Sequence, residues 1–138
     1  MAAGKYSFAI EQGSTVDFEI AYKDSSGNPI DLTGYQARMQ IRPSKGSDTV
    51  YLTLSSSATP PTSTPADGTG LNMSGSNGLN PPTSGTIGIY IDAVSSSAFT
   101  FNEAVYDLEI VTGSTYPVVT RLLEGSIRLI QEVTEGPY

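Results

Sequence analysis

Ala104-Val105-Tyr106-Asp107-Leu108-Glu109-Ile110-Val111 sets Tyr106, Leu108 and Ile110 in alternation with Asp107, Glu109 and Val111. A period of two belongs to a strand with one face buried and the other wet. The same alternation recurs in Val16-Asp17-Phe18-Glu19-Ile20-Ala21-Tyr22-Lys23 and in Tyr35-Gln36-Ala37-Arg38-Met39-Gln40-Ile41-Arg42. Short strands punctuated by turns point to a β-sandwich or a small barrel. Such folds fill their cores with their own side chains, so no cofactor is expected.

Outward from these stretches, strands are expected over residues 6–11, 15–23, 35–42, 48–55, 85–92, 104–112 and 118–130. Between them, Gln12-Gly13-Ser14 and Asp24-Ser25-Ser26-Gly27-Asn28-Pro29 are turn signals. In Asp31-Leu32-Thr33-Gly34, Asp31 can cap a helical turn, Leu32 can plug the core, and Gly34 can supply a left-handed exit. Asp92 can cap a short helix over residues 93–98. Gly125 interrupts the last strand and predicts a bulge. About seven antiparallel strands, with a helical turn before the sixth, fit an all-β, immunoglobulin-like sandwich. Tyr106 then stands where a tyrosine corner would place it, its hydroxyl returning to backbone near residues 99–104. Otherwise it is a plain core tyrosine.

Residues 56–84 break the pattern. They hold Pro60, Pro61, Pro65, Pro81 and Pro82, four glycines and many Ser and Thr. No regular structure is expected there. A structureless loop of more than about 15 residues is uncommon in a compact domain and is usually functional or disordered. The chain thus reads as a single β-sandwich domain over residues 1–138 with one long Ser/Thr/Pro/Gly insertion. Leu71, Met73 and Leu79, followed by Pro81 and Pro82, are its candidate anchors, either on their own domain or on a neighbouring chain.

Composition removes several classes of function. A chain of 138 residues can bury roughly 70% of its unfolded surface. It has no Cys and no His, so disulfides, thiolate metal sites and the commonest general base are all missing. A net charge of −7 argues against binding nucleic acid, which needs a basic footprint. Ala2-Ala3-Gly4-Lys5 leads into no apolar segment of a signal peptide, and no run approaches the ~20 apolar residues of a membrane span. A protein made in the cytoplasm, with no membrane partner, is expected.

The candidate chemical constellations are weak. Asp107 with Glu109, and Asp17 with Glu19, read as solvated strand faces. The turn from Asp24 lacks the spacing of a Ca²⁺ loop. A Ser–Lys pair is conceivable with Lys5, Lys23 or Lys45, but all three look exposed. Gly68 and Gly70 precede no helix, so they make no phosphate cradle. No enzyme, metal or cofactor is expected. The notable excess is apolar. Val118 and Leu122 alternate with Val119 and Leu123, Ile130 follows, and the neighbouring strand adds Val105 and Val111. One-faced burial does not use all of these, so either the long loop or another subunit covers the remainder.

Five segments in order carry a resemblance. They are Phe8-Ala9-Ile10-Glu11-Gln12-Gly13, Pro29-Ile30-Asp31-Leu32-Thr33-Gly34-Tyr35, Ala37-Arg38-Met39-Gln40-Ile41-Arg42, Val105-Tyr106-Asp107-Leu108-Glu109-Ile110 and Arg121-Leu122-Leu123-Glu124-Gly125. Together they resemble small tail-associated virion proteins of bacteriophages, and in particular the N-terminal immunoglobulin-like domain of phage baseplate upper proteins. The resemblance implies a non-enzymatic structural adaptor in the phage tail, baseplate or tail-fibre attachment region. Its partners would be other virion subunits, in a symmetric homo-oligomer within the particle. A capsid decoration (cement) protein is the alternative in the same class. A glycan-binding adhesin domain is the alternative from another, with Tyr51, Tyr90 and Tyr116 as its outward aromatics.

Overall fold

The structure, a computed structural model, describes residues 4–56, 69–73, 75, 81–112 and 116–133. Its strands are β1 (Gly4–Lys5), β2 (Phe8–Glu11), β3 (Val16–Ala21), β4 (Gln36–Arg42), β5 (Leu52–Ser55), β6 (Gly70–Asn72), β7 (Thr86–Ile91), β8 (Glu103–Thr112) and β9 (Val118–Ile130). One α-helix, α1 (Ala93–Ser97), and one 3₁₀ turn, Pro82–Ser84, complete the described elements. The chain is all-β, as the period of two indicates. A six-stranded sheet runs in the order β1-β9-β8-β4-β5, with β2 also on β9, and a three-stranded sheet runs β3-β7-β6. Inward residues of both sheets, among them Met39, Ile41, Ile87, Ile89 and Leu108, form one core and are at most 1% exposed.

The local caps follow their residues. The Asp31 carboxylate accepts from the Thr33 amide at 2.9 Å and from its hydroxyl at 2.6 Å, and these bonds lower its pKa. Leu32 is buried, and Gly34 takes a left-handed φ of 82°. Asp92 caps α1 by accepting from the Ser95 amide at 3.1 Å. The buried Ser96 hydroxyl donates to the Ser14 carbonyl at 2.7 Å, which ties the helix to the turn between β2 and β3.

Five expectations are corrected. First, the sheets are not purely antiparallel, because β1 and β2 run parallel to β9. Second, Gly125 marks no bulge. A Cβ there would lie 2.0 Å from the Tyr6 carbonyl oxygen, so this glycine lets the N-terminal segment approach β9 closely. The irregularity falls instead at Leu122, since Leu108 pairs with Leu123 and Glu109 with Arg121. Third, Tyr106 is buried, but its hydroxyl donates to the Tyr6 carbonyl at 2.5 Å and not to the 99–104 corner. Burial, with Tyr6 beside it, pushes its pKa far up. Fourth, the inserted segment contains regular structure, because β6 pairs antiparallel with β7 and sets Leu71 opposite Ile89. Fifth, the strand expected over 48–55 is shorter, since Val50 is exposed.

Candidate functional site

The outer face of the large sheet is built from the residues that alternate with the core. On β8 these are Val105, Asp107, Glu109 and Val111, between buried Ala104, Tyr106, Leu108 and Ile110. Cross-strand register brings Arg38 and Gln40 of β4, with Arg121 and Glu124 of β9, beside them. Together with Arg42 and Lys45 they line an open depression of about 450 Å³.

Its three carboxylates are paired. Arg38 meets Glu109 at 2.8 Å, and Arg121 lies 3.4 Å from Asp107 and 3.8 Å from Glu124. Glu124 also receives Lys5 at 3.0 Å and Lys45 at 3.4 Å, and these bonds hold its carboxyl below the usual range. Asp107 is shifted the other way, by partial burial and then by Glu109 and Glu124, against the pull of Arg121 and Arg38. Chemically, this arrangement cross-links β4, β8 and β9 through ion pairs, with more basic than acidic groups around it. Arg42 reinforces it by reaching the Gln40 side chain at 2.7 Å and the Ser47 carbonyl. Among the described residues no cluster of acidic side chains is suited to hold a metal ion.

Beyond the charged centre the surface is apolar. Val111 and Val119 are cross-strand partners on the outer face. Val119 is 45% exposed, Val118 59% and Tyr116 86%. Ile130 and Val133 form a second exposed group at the far end of β9. The remaining sequence candidates fall elsewhere. Leu122 is buried in the core while Leu123 packs against it, because the irregularity in β9 turns two consecutive leucines inward. This absorbs part of the apolar excess. Leu71 is likewise a core residue and Met73 packs on the core, so both serve their own domain. Pro81 is exposed, Pro82 opens the 3₁₀ turn, and Leu79 lies outside the described residues. Of the interface candidates, Val111 is half-buried on the outer face opposite Val119, Val118 pairs with Thr112 on the other phase of the strand, and Val118 and Ile130 are exposed.

Sequence reasoning missed the hub at Glu124, because Lys5 and Lys45 are 119 and 79 residues away from it. It also placed Tyr51 outward, whereas Tyr51 is half-buried and stacks on Phe101 at 4.7 Å. No protein-family model matches the chain, and no curated protein matches it.

Proposed function

We propose that the chain is a non-enzymatic structural protein of a phage virion. It acts as an adaptor in the tail, baseplate or fibre-attachment region and docks on other virion subunits in a symmetric assembly. The observation that carries this reading is the exposed apolar start of β9, where Val118 and Val119 are 59% and 45% exposed and Tyr116 just before them 86%, beside a sheet face whose carboxylates Asp107, Glu109 and Glu124 are all ion-paired. A surface that pairs its own carboxylates and leaves aromatic and aliphatic groups bare has the composition of a docking patch. The five-segment resemblance supplies the particle.

An immunoglobulin-like fold accords with this reading. In a variable-type immunoglobulin sandwich, a sheet of strands G, F, C and C′ faces one that contains B, E and D. The orders β9-β8-β4-β5 and β3-β7-β6 follow the same chain sequence. Tyr106 occupies the corner position, though its hydroxyl bonds to the N-terminal segment.

The test is to replace both Val118 and Val119 by Asp in the phage genome. Loss of docking energy of about 1.4 kcal/mol lowers affinity tenfold. Occupancy in purified virions is therefore expected to fall on the order of tenfold, with the isolated domain's unfolding midpoint unchanged. Normal occupancy in the variant, or absence of the wild-type chain from particles, would overturn the proposal.

A further inference from the structure

The small sheet differs from the large one in its edge, its burial and its charge. β3 is its terminal strand, and among the described residues nothing pairs with the side away from β7. The ladder with β7 is unbroken from Val16 opposite Ile91 to Ala21 opposite Thr86. Tyr22 donates its amide to the Gly85 carbonyl at 2.7 Å. The alternation of an antiparallel ladder therefore turns the peptide groups of Asp17, Glu19 and Ala21 toward the open side.

Natural edges are usually blunted by shortness, proline, a bulge or charged side chains, lysine above all, and of these β3 has only Asp17 and Glu19. β5 has four residues and β6 three. β3 has six, with no Pro, Gly or Lys among them and no break in register.

Burial marks the same edge. Ile87, Ile89 and Ile91 of β7 are 0–1% exposed, yet their inward partners Val16, Phe18 and Ile20 are only half-buried. What they lack is a lateral neighbour. Phe8 and Tyr6 close part of the seam, with ring centroids 5.2 and 6.2 Å from Phe18, and Tyr6 remains 46% exposed.

Charge gives the third distinction. On the large sheet Asp107, Glu109 and Glu124 all have basic partners. On β3, Asp17 and Glu19 are exposed and have no ion-pair partner among the described residues. β3, β7 and β6 contain no Lys or Arg.

We infer that the open edge of β3 receives an extended strand from another protein by sheet addition. That strand is apolar where it lines up with Val16, Phe18 and Ile20, and basic where it meets Asp17 and Glu19. A second copy of this chain does not fit the site. Antiparallel registers that let the outward peptide groups of two β3 strands bond over five residues set Asp17 against Glu19 or Glu19 against Glu19, and like charges directly opposite are destabilising. The edge is separate from the Val118–Val119 strip, and the inference stands whichever protein covers that strip.

The experiment uses the whole chain and two short synthetic peptides, one alternating valine with lysine and one alternating valine with glutamate. Fluorescence anisotropy reads binding, and amide hydrogen exchange reads its location. The lysine peptide is expected to bind saturably and to slow exchange at Asp17, Glu19 and Ala21, whereas the glutamate peptide does not bind. The double variant Asp17→Lys, Glu19→Lys keeps the edge and is expected to exchange the two preferences. Glu19→Pro removes one outward N–H, spares the β7 ladder, and is expected to weaken binding by about tenfold.

Binding that leaves these amides unprotected would reveal attraction to net charge alone and overturn the inference. So would equal binding of both peptides, no saturable binding, indifference to the charge reversal, or a homodimer in sedimentation equilibrium that protects the same amides.

Discussion

Tyr106 and Gly125 sit opposite each other on β8 and β9, and both meet Tyr6. The glycine leaves room for the Tyr6 carbonyl and the tyrosine hydroxyl bonds to it, so together they fasten the N-terminal segment onto the large sheet. Tyr106→Phe keeps the ring and orphans the carbonyl. It is expected to cost about 1–2 kcal/mol, read as a lower urea midpoint at unchanged slope. Gly125→Ala introduces a clash with backbone, which cannot swing aside like a side chain. A loss of about 1–3 kcal/mol in the same titration, with faster amide exchange at residues 4–11, is expected. Neither role was readable from sequence. A glycine in a strand signals either a bulge or a close approach, and only the partner, 119 residues earlier in the chain, decides between them. By contrast Gly34, Asp31 and Asp92 were readable, because each acts on groups within three residues of itself.

Among the elements, β6 shows why a Pro- and Gly-rich insertion can still hold core structure. A three-residue strand is too short for its period to show. It is held partly through side chains: the Thr69 hydroxyl donates to the Asp92 carboxylate at 2.8 Å and accepts the Asp92 amide at 2.9 Å. The same carboxylate caps α1, so one buried residue joins strand, helix and insertion. Burial alone would push its carboxyl up, but the bonds from Ser95 and Thr69 outweigh it and hold the pKa below the ordinary 3.8. Above that value both folded and unfolded chains are ionised and the stabilisation is fully present. As pH falls below 3.8 the unfolded chain takes up its proton first, so the contribution is lost as the folded pKa is crossed. Asp92→Ala is expected to cost about 1–2 kcal/mol at neutral pH. In urea titrations across this acid range, the gap between wild type and variant should narrow as pH falls. A gap that holds constant or widens would count against the assignment. The irregularity at Leu122 was hidden for a related reason. Val118, Val119, Leu122 and Leu123 are apolar at every phase, so a slip of one residue leaves no mark on the pattern.

At the scale of the molecule, the class of fold was readable because alternation is repeated in β3, β4 and β8, where one face is wet. The parallel docking of β1 and β2 was not, since it depends on a contact between chain ends. The proposed docking surface was half readable. The surplus of apolar residues on β9 was visible, but which of them the core absorbs depended on register. What remains outside is Val118, Val119 and Ile130, with Tyr116 just before the strand and Val111 half-buried opposite Val119. The ion pairs across the large sheet contribute little each, about 0–1 kcal/mol at such exposure. Arg38→Ala is therefore expected to move the unfolding midpoint only slightly, whereas the two valine substitutions are expected to act on assembly and not on folding. The most direct measurement is a reconstruction of the assembled phage particle at side-chain resolution. The chain is expected in the tail or baseplate, with Val118, Val119 and Tyr116 buried against a neighbouring virion subunit. A particle that lacks the chain, or one in which those three side chains face solvent, would contradict the docking role.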